Sequence, residues 1–234
     1  YFDCEDVLVE NVEVFSRANH NNDGIDIDSC RRVTVRNCTI DSGDDAVVVK
    51  TTSCRPCEDV LVEKCALSSQ ATGFKIGTET VGDIRRIKAR DLRVFPSSVK
   101  TSFNHSKGRF RGIAAIAIFS ADGAEVSDVD LDGVQASGQD CGFFIRVCDR
   151  CRPVAADGKK RAPGSIRRVR IANFKSVDTG NLGSSVISYE RGRIRSVALE
   201  HVSIHAIGGV GDGDYTPVEE FRTWSNAYPS PLLL

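Results

Sequence analysis

Apolar and polar positions alternate in short segments that recur along the whole chain. The pattern is apolar, any, apolar, any, a polar or small residue, apolar, and it first appears at Val7-Leu8-Val9-Glu10-Asn11-Val12. Alternation with a period of two residues is typical of a half-buried β-strand. The later copies begin at Val33, Val60, Ile87, Val129, Val169 and Val197. The chain therefore predicts a series of similar strands.

The spacing of these copies indicates a solenoid. Successive copies begin 26, 27, 27, 42, 40 and 28 residues apart, and the two long intervals fit one coil plus an inserted loop. A fixed period of this length is the sequence signature of stacked repeats. We therefore expect each coil to lie about 4.8 Å above the one before it.

A second set of short apolar segments lies between the members of the first set. These segments span residues 24–27, 46–49, 73–76, 116–118, 142–145 and 185–188. Two strands per coil predict an all-β parallel β-helix over residues 1–207, followed by a loop or C-terminal extension over residues 208–234. All seven prolines fall outside both sets of strands, as a hydrogen-bonded sheet interior requires.

Composition narrows the possible partners. The 234 residues carry a formal net charge of −1, which argues against a general nucleic-acid binder. The basic stretch 146–168 has no interleaved aromatic residues for base stacking, so a solvated insertion is the simpler interpretation. No apolar run approaches the roughly 18 residues of a membrane span, so no membrane association is expected. The chain contains no Met, and we expect it to be a fragment of a longer protein.

Nine cysteines raise the question of metal binding. Two pairs have the spacing Cys-x-x-Cys, at residues 54–57 and 148–151, but no His lies at a ligand-like offset from either pair. A structural zinc site is therefore the weaker interpretation. In the repeat register Cys38 and Cys65 fall on the inward face, so we predict them to be core residues.

Three aspartates stand where neighbouring strands of the second set begin. Asp23 precedes the segment 24–27, and the pair Asp44-Asp45 precedes the segment 46–49. With the segments aligned, Asp23 and Asp45 take the same position on successive coils, about 4.8 Å apart. Hydrolysis of a glycosidic bond uses two carboxyl groups in different protonation states, and crowding of like charges favours such a difference. We therefore predict Asp23, Asp44 and Asp45 as catalytic residues.

The same alignment places further polar residues near these aspartates. Thr72 takes their position on the next coil, and Asp26 and Lys75 point outward on the same sheet. Asp28 and Lys50 are expected to be neighbours on successive coils and to form a surface ion pair. A structural alternative is that Asp and Asn residues here only satisfy backbone groups in turns. A doubled Asp stacked on another Asp fits that alternative poorly.

These motifs resemble those of family 28 of the glycoside hydrolases, the polygalacturonase family. Asn21-Asn22-Asp23 matches the family's Asn-x-Asp motif, residues 42–47 match its Asp-Asp motif, and residues 73–79 resemble the strand that follows its Gly-His-Gly motif. The resemblance implies a right-handed, pectin lyase-like parallel β-helix and inverting hydrolysis with no metal or other cofactor. It also implies Asp44 as the general acid, with Asp23 and Asp45 activating the water.

Two basic motifs of that family are missing. Ala71-Thr72-Gly73 stands in place of Gly-His-Gly, and residues 111–116 lack the Arg-Ile-Lys motif. In polygalacturonases those basic residues hold the carboxylate of the substrate, so other residues have to take over here. The predicted substrate-binding residues are Asn21, Asp26, Thr72, Lys75, Arg111 and Arg146. The loop 97–112, with Lys100, His105, Lys107 and Arg109, is expected to form a wall of the cleft.

The sequence and the resemblance together predict a pectin-degrading glycosidase. The expected partner is a pectic polysaccharide, either galacturonan or rhamnogalacturonan, and the intact protein is expected to be an extracellular or periplasmic monomer. One alternative is a β-helix that binds carbohydrate without cleaving it. A second is an eliminase of the pectate-lyase type, which would need calcium and an arginine base.

Overall fold

The computed structural model describes residues 1–18, 21–97, 111–153 and 160–208, together with the backbone of two short strands further on. The described residues form parallel β-strands joined by turns, and no helix occurs among them. The strands stack in successive coils, so the fold is the predicted right-handed parallel β-helix. Within this part of the chain no helix has the length and apolar character that a membrane crossing requires.

The first sheet contains the strands that the repeat predicted. Its strands are β1 (Glu5–Glu10), β4 (Arg31–Arg36), β7 (Cys57–Glu63), β10 (Ile84–Phe95), β12 (Glu125–Ser137), β14 (Ser165–Thr179) and β16 (Ile194–Ala206). The register is the predicted one, because Val7 pairs with Val33, Val33 with Val60, and so on through the coils to Val197. Valine and isoleucine at this position form one inward-facing row of the core.

The second sheet contains the strands that carry the aspartates. Its strands are β3 (Ile25–Asp28), β6 (Val47–Thr51), β9 (Thr72–Thr80), β11 (Ala114–Ser120), β13 (Cys141–Val147) and β15 (Ser185–Ser188). Ile25 pairs with Val47, Val47 with Phe74, and Phe74 with Ile116, which is the alignment expected from the sequence. Adjacent residues of these strands therefore point alternately into the core and out of the coil.

A third row of strands was not predicted. The first three coils each add a four-residue strand, namely β2 (Glu13–Ser16), β5 (Thr39–Ser42) and β8 (Ala66–Ser69). β8 pairs with the end of β10, because from that coil onwards one long strand spans the bend. Four-residue segments with serine in them lack the sustained alternation by which strands are recognised in a sequence.

One left-handed residue per coil produces this bend. The fifth position of the predicted repeat has φ between 50° and 76° in every copy. The residues at this position are Asn11, Asn37, Lys64, Asp91, Gly133, Asn173 and His201. Glycine, asparagine and aspartate tolerate this conformation best, which explains the polar or small residue in the pattern.

A second left-handed row alternates acidic and basic residues along the outer face of the first sheet. Its first six members are Asp6, Arg32, Asp59, Arg86, Asp128 and Arg168, and Ser196 takes the same position in the last coil. Each arginine donates to the aspartate one coil earlier, at 2.6 to 2.7 Å. Such exposed pairs contribute little to stability because solvent screens them. A shallow depression of about 800 Å³ on this face is lined largely by these mutually paired charges, so it offers little chemistry to a ligand.

The C-terminal segment differs in part from its prediction as a loop. Within residues 208–234 the structure describes two parallel strands, β17 (Thr216–Pro217) and β18 (Leu232–Leu233). Pro217 is therefore the one proline that lies in a strand, among the strands that the structure describes. A proline is tolerated there because the pair has only two strands, and both are edges.

Candidate active site

The three predicted catalytic aspartates lie together at the start of two neighbouring strands. Asp23 immediately precedes Gly24 and β3, and Asp44 and Asp45 precede β6 in the next coil. One carboxylate oxygen from each of the three side chains lies within 4.8 Å of the other two. The coil spacing explains this closeness, because equivalent positions on adjacent coils are about 4.8 Å apart.

The backbone around Asp44 is held by two serine hydroxyls. Ser42 Oγ and Ser69 Oγ donate to the Asp44 carbonyl oxygen at 2.8 and 2.5 Å, from the same coil and the next one. Gly43 is packed so closely against the Asn22 side chain that a Cβ would come within 2.6 Å of its Oδ1. A side chain in place of this glycine would have to displace the Asn22 amide, which lies beside the Asp-Asp pair.

Asp45 is the most deeply buried of the three aspartates. It is 3% exposed, and its Oδ2 accepts a hydrogen bond from Lys75 Nζ at 2.5 Å. Its backbone N–H donates to Asp23 Oδ1 at 3.2 Å, which links the two coils directly. Lys75 lies on β9, one coil further on, and is itself 7% exposed.

A second lysine lies on the other side of the cluster. Lys50 Nζ is 2.5 Å from Asp26 Oδ2 and 3.5 Å from Asp23 Oδ2. Lys50 was predicted to pair with Asp28, and that ion pair is not formed. Asp28 is opposite Lys50 in the register, but its carboxylate accepts from the Thr52 N–H and hydroxyl and from the Ser29 hydroxyl. With its oxygens occupied in this way, Asp28 leaves Lys50 to reach diagonally to Asp26.

These groups line a pocket of about 290 Å³ on the outer face of the second sheet. The residues around it are Asn21, Asp23, Asp44, Asp45, Val48, Lys50, Lys75, Gly77, Thr78 and Glu79. The volume is near the lower end of the range for small-molecule sites, which begins at about 300 Å³.

The electrostatics of the pocket favour a proton shared within the cluster. Burial, and after it the charges of Asp45, Asp26 and Asp44, together raise the pKa of Asp23 to about 7, although Lys50 lowers it. Burial alone would lower the pKa of Lys50, but its hydrogen bond and attraction to Asp26 and its attraction to Asp23 raise it instead. At mildly acidic pH the carboxyl cluster therefore retains a proton while Lys50 stays charged.

The raised pKa of Asp23 predicts a pH-dependent stability. Its pKa is about 7 when folded against an ordinary value of 3.8, so the folded state binds the proton more tightly than the unfolded state. Stability should therefore fall as the pH rises from about 4 to about 7, by up to about 4 kcal/mol. Asp23→Asn should remove this slope and raise the unfolding temperature at about pH 8 more than at about pH 5. Thermal unfolding at the two pH values is the measurement, and an equal change at both would contradict the cause.

The other predicted contacts on these first coils have different surroundings. Asn21 is exposed and lines the pocket, in a left-handed conformation with φ of 51°. Asp26 is held by Lys50 beside Asp23. Thr72 is fully buried, its hydroxyl has no hydrogen-bond partner among the described residues, and it is not among the residues that line the pocket.

The two predicted arginines lie away from the aspartates. Arg111 donates to the carbonyl oxygen and the carboxylate of Asp178, at 2.6 and 2.9 Å. Arg146 was expected to point outward, but it is fully buried and donates to Ser185 Oγ at 2.8 Å. It lies 5.5 Å from the centroid of the Phe144 ring, and burial lowers its pKa to about 10. At this coil an apolar cluster covers the outer face of the sheet. A side chain that points outward there is therefore buried and not exposed to solvent.

The predicted cleft-wall loop 97–112 falls mostly outside the described residues, including Lys100, His105, Lys107 and Arg109. The nine cysteines are all free thiols, and Cys38 and Cys65 are buried in the core as predicted. Among the described residues the aspartate cluster is the only group of three or more acidic, Cys or His side chains spaced to surround a metal ion. Hard divalent cations prefer such oxygen ligands, but clustered acidic groups are also common without one.

Sequence reasoning missed a charged group at the end of the pocket. Arg150 donates to Asp122 Oδ2 at 2.6 Å and to the Thr78 carbonyl oxygen at 2.6 Å, and Arg152 donates to Glu79 at 3.0 Å. Thr78 and Glu79 both line the pocket, so Asp122 and the two arginines support its wall. The arginines lie in the turn after β13, two coils beyond Glu79. Nothing in the local sequence connects them to the aspartates.

The family of the chain is shown by its sequence. The model of the glycosyl hydrolases family 28 matches residues 1–134, which is more than half of the chain and includes all three aspartates. The chain belongs to glycosyl hydrolase family 28. The search of curated proteins found no significant match to the chain.

A solved structure agrees on the fold of this family-28 chain. The crystal structure of a hyperthermoactive exopolygalacturonase from Thermotoga maritima matches with a TM-score of 0.54 at 18% sequence identity. The match covers 85% of this chain and 49% of that enzyme, so this chain spans about half of its length. At this identity the likeness supports the parallel β-helix alone, and the chemistry has to be argued from the site.

Proposed function

We propose that the protein hydrolyses a glycosidic bond in a pectic polysaccharide, with Asp23, Asp44 and Asp45 as the catalytic residues. The proposal rests on the observation that these three carboxylates lie together in one pocket of a family-28 β-helix. The pocket also contains two lysines, each of which pairs with a neighbouring carboxylate. Acid–base cleavage of an acetal needs a proton donor and a carboxylate together, and the raised pKa of Asp23 keeps a proton in the cluster.

The proposed step is a single displacement. Asp44 donates a proton to the oxygen of the leaving sugar while water attacks the anomeric carbon. Asp23 and Asp45 position that water, and its proton passes to the Asp45 carboxylate. The assignment of Asp44 as acid and the inverting outcome rest on the family. The spacing does not argue for inversion, because a typical inverting pair is roughly 6.5–9.5 Å apart and the nearest oxygens here lie within 4.8 Å.

The charges in the described pocket favour a neutral sugar beside a uronate. Lys50 and Lys75 are both paired with aspartates. On the next coil the outward positions are Ala117, which pairs with Lys75 in the register, and Phe119, and both are fully buried. The described pocket thus offers a uronate carboxylate no cation that is not already held by an aspartate. We propose rhamnogalacturonan, with its alternating neutral and acidic sugars, as a better substrate than homogalacturonan.

Product release from the two polymers tests this preference. A missing charge-assisted hydrogen bond costs about 1.5–3 kcal/mol, so kcat/KM should be at least about tenfold higher on rhamnogalacturonan oligomers than on homogalacturonan oligomers. The complete gene product should be assayed on oligomers of equal length by counting new reducing ends. Equal or faster cleavage of homogalacturonan would contradict the preference and leave hydrolysis itself in place.

The other expectations remain proposals. The intact protein is proposed to act outside the cytoplasm, as an extracellular or periplasmic monomer, because its substrate is a cell-wall polymer. Catalysis is proposed to need no metal, and treatment with a chelator is expected to leave the rate unchanged. A calcium-dependent eliminase is disfavoured because no arginine lines the described pocket.

A further inference from the structure

The ion pair between Lys75 and Asp45 is unusual in its burial. The two side chains are 8% and 4% exposed, and both line the pocket. Desolvating two charges costs several kcal/mol per ion, and well-packed apolar residues in the same space are often as stable or more stable. Stability alone therefore gives little reason for a buried lysine at this position.

The contacts of the Asp45 carboxylate depend on this one lysine. Oδ2 accepts from Lys75 Nζ, and the buried Oδ1 has no hydrogen-bond partner among the described residues. The other polar contacts of Asp45 are made by its backbone, whose N–H donates to Asp23 Oδ1 and whose carbonyl oxygen accepts from the Gly24 N–H. Within the described part of the chain, Lys75 is thus what fixes the direction of the Asp45 carboxylate.

Lys50 provides a matched comparison at the opposite edge of the pocket. Its side chain is also largely buried, with 16% of its surface exposed. Its ammonium, however, lies near two carboxylates, 2.5 Å from Asp26 and 3.5 Å from Asp23. Asp23 has a further contact in the backbone N–H of Asp45, so its carboxylate does not depend on Lys50 alone. Both lysines are charged residues of the pocket, but they have different partners. Lys75 pairs with Asp45, whereas Lys50 lies near both Asp26 and Asp23.

The register shows how Lys75 reaches its partner. Lys75 is paired with Val48, three residues after Asp45 and one coil away. Val48 carries no polar group, so the lysine side chain extends back towards the start of the strand, where Asp45 lies. The ammonium consequently approaches the aspartates from the coil that follows them, while Lys50 approaches from the far end of β6.

We propose that Lys75 is a positioning residue of the hydrolytic reaction, which holds the Asp45 carboxylate in place by charge and hydrogen bond so that Asp45 can accept the proton of the attacking water. This inference rests on the proposed function. Several other charged groups face the same cluster, and they bear on any pH dependence. They are Asp23 before β3, Asp26 on β3, Asp44 before β6, Lys50 on β6 and Glu79 on β9.

Lys75→Met, Lys75→Arg and Lys50→Met in the complete gene product test the inference. Lys75→Met should lower kcat about 100-fold with KM changed less than about threefold, because the lost contact serves the water-activating group and not the substrate. The acidic limb of its kcat profile should move to higher pH, since loss of a cation makes the carboxyl cluster harder to ionise. Lys75→Arg should recover most of the rate, and Lys50→Met should change kcat less than Lys75→Met.

Three results would overturn the inference. A rise in KM on uronate-rich oligomers with kcat unchanged would make Lys75 a substrate ligand. A lower unfolding temperature with an unchanged kcat and pH profile of the folded enzyme would make it only structural. A crystal structure of Lys75→Met with Asp45 in its original position would also contradict it, and this readout does not need activity. Inactivity of the wild-type protein would instead overturn the proposed function.

Discussion

Replacing Asp44 with Asn is expected to lower kcat on pectic oligomers by about 10²- to 10⁴-fold, with little change in KM. The amide cannot donate a carboxyl proton to the leaving sugar oxygen, but it has nearly the same shape. The backbone at this position is held by Ser42 and Ser69 through the carbonyl oxygen, so the fold should tolerate the change. Steady-state kinetics of the complete gene product provide the measurement.

Asp28→Asn is the matched control for that substitution. Asp28 lies on β3 in the same coil as Asp23 and is 8% exposed, but it does not line the pocket. Its carboxylate accepts from Thr52 and Ser29, so the variant should lose some stability and retain its kcat. Equal losses of kcat in the two variants would mean that Asp44 acts through the fold and not through the chemistry.

Removal of the Asp122 carboxylate is expected to have the largest effect on stability. Asp122 is fully buried and accepts from Arg150 and Arg152. Burial alone would raise the pKa of Asp122, but these arginines outweigh it and hold the pKa below its usual value. Asp122→Ala would leave Arg150, only 11% exposed, without its carboxylate, and breaking a buried pair costs about 3–5 kcal/mol.

Asp128→Ala separates the effect of burial from the effect of ion pairing. Asp128 accepts two hydrogen bonds from Arg168, at 2.6 and 2.8 Å, but it is 40% exposed. An exposed pair contributes little to stability because solvent screens it, so this variant should unfold close to the wild-type midpoint. Denaturant unfolding of both variants compares them directly. Similar losses of stability in the two would show that burial does not control these ion pairs.

The coil architecture could be predicted from the sequence because it is a one-dimensional pattern. The apolar alternation from Val7 onwards and the left-handed residue at Asn11 and its equivalents fix both the strand and the bend of each coil. Strand pairing then follows from the repeat length, since equivalent residues stack. The four-residue strands such as β5 were missed because the third face of the coil carries short segments without a sustained period.

The aspartate cluster was predictable for the same reason. Asp23 and Asp45 come together because they are equivalent positions of neighbouring coils. Long side chains were not predictable in this way. Lys50 pairs diagonally with Asp26, and Lys75 reaches back to Asp45, because each ammonium goes to the carboxylate that the backbone and hydroxyl donors leave open. Arg146 was misplaced because its neighbours turn an outward position into an apolar interior.

The anomeric configuration of the first product tests the central claim most directly. Proton NMR should follow cleavage of an α-linked pectic oligomer by the complete gene product, before the released sugar interconverts between anomers. We expect the β-anomer to appear first and to be lost in Asp44→Asn, as direct displacement by water requires. Early release of the α-anomer, an unsaturated product, or binding without any cleavage would contradict inverting hydrolysis by the three aspartates.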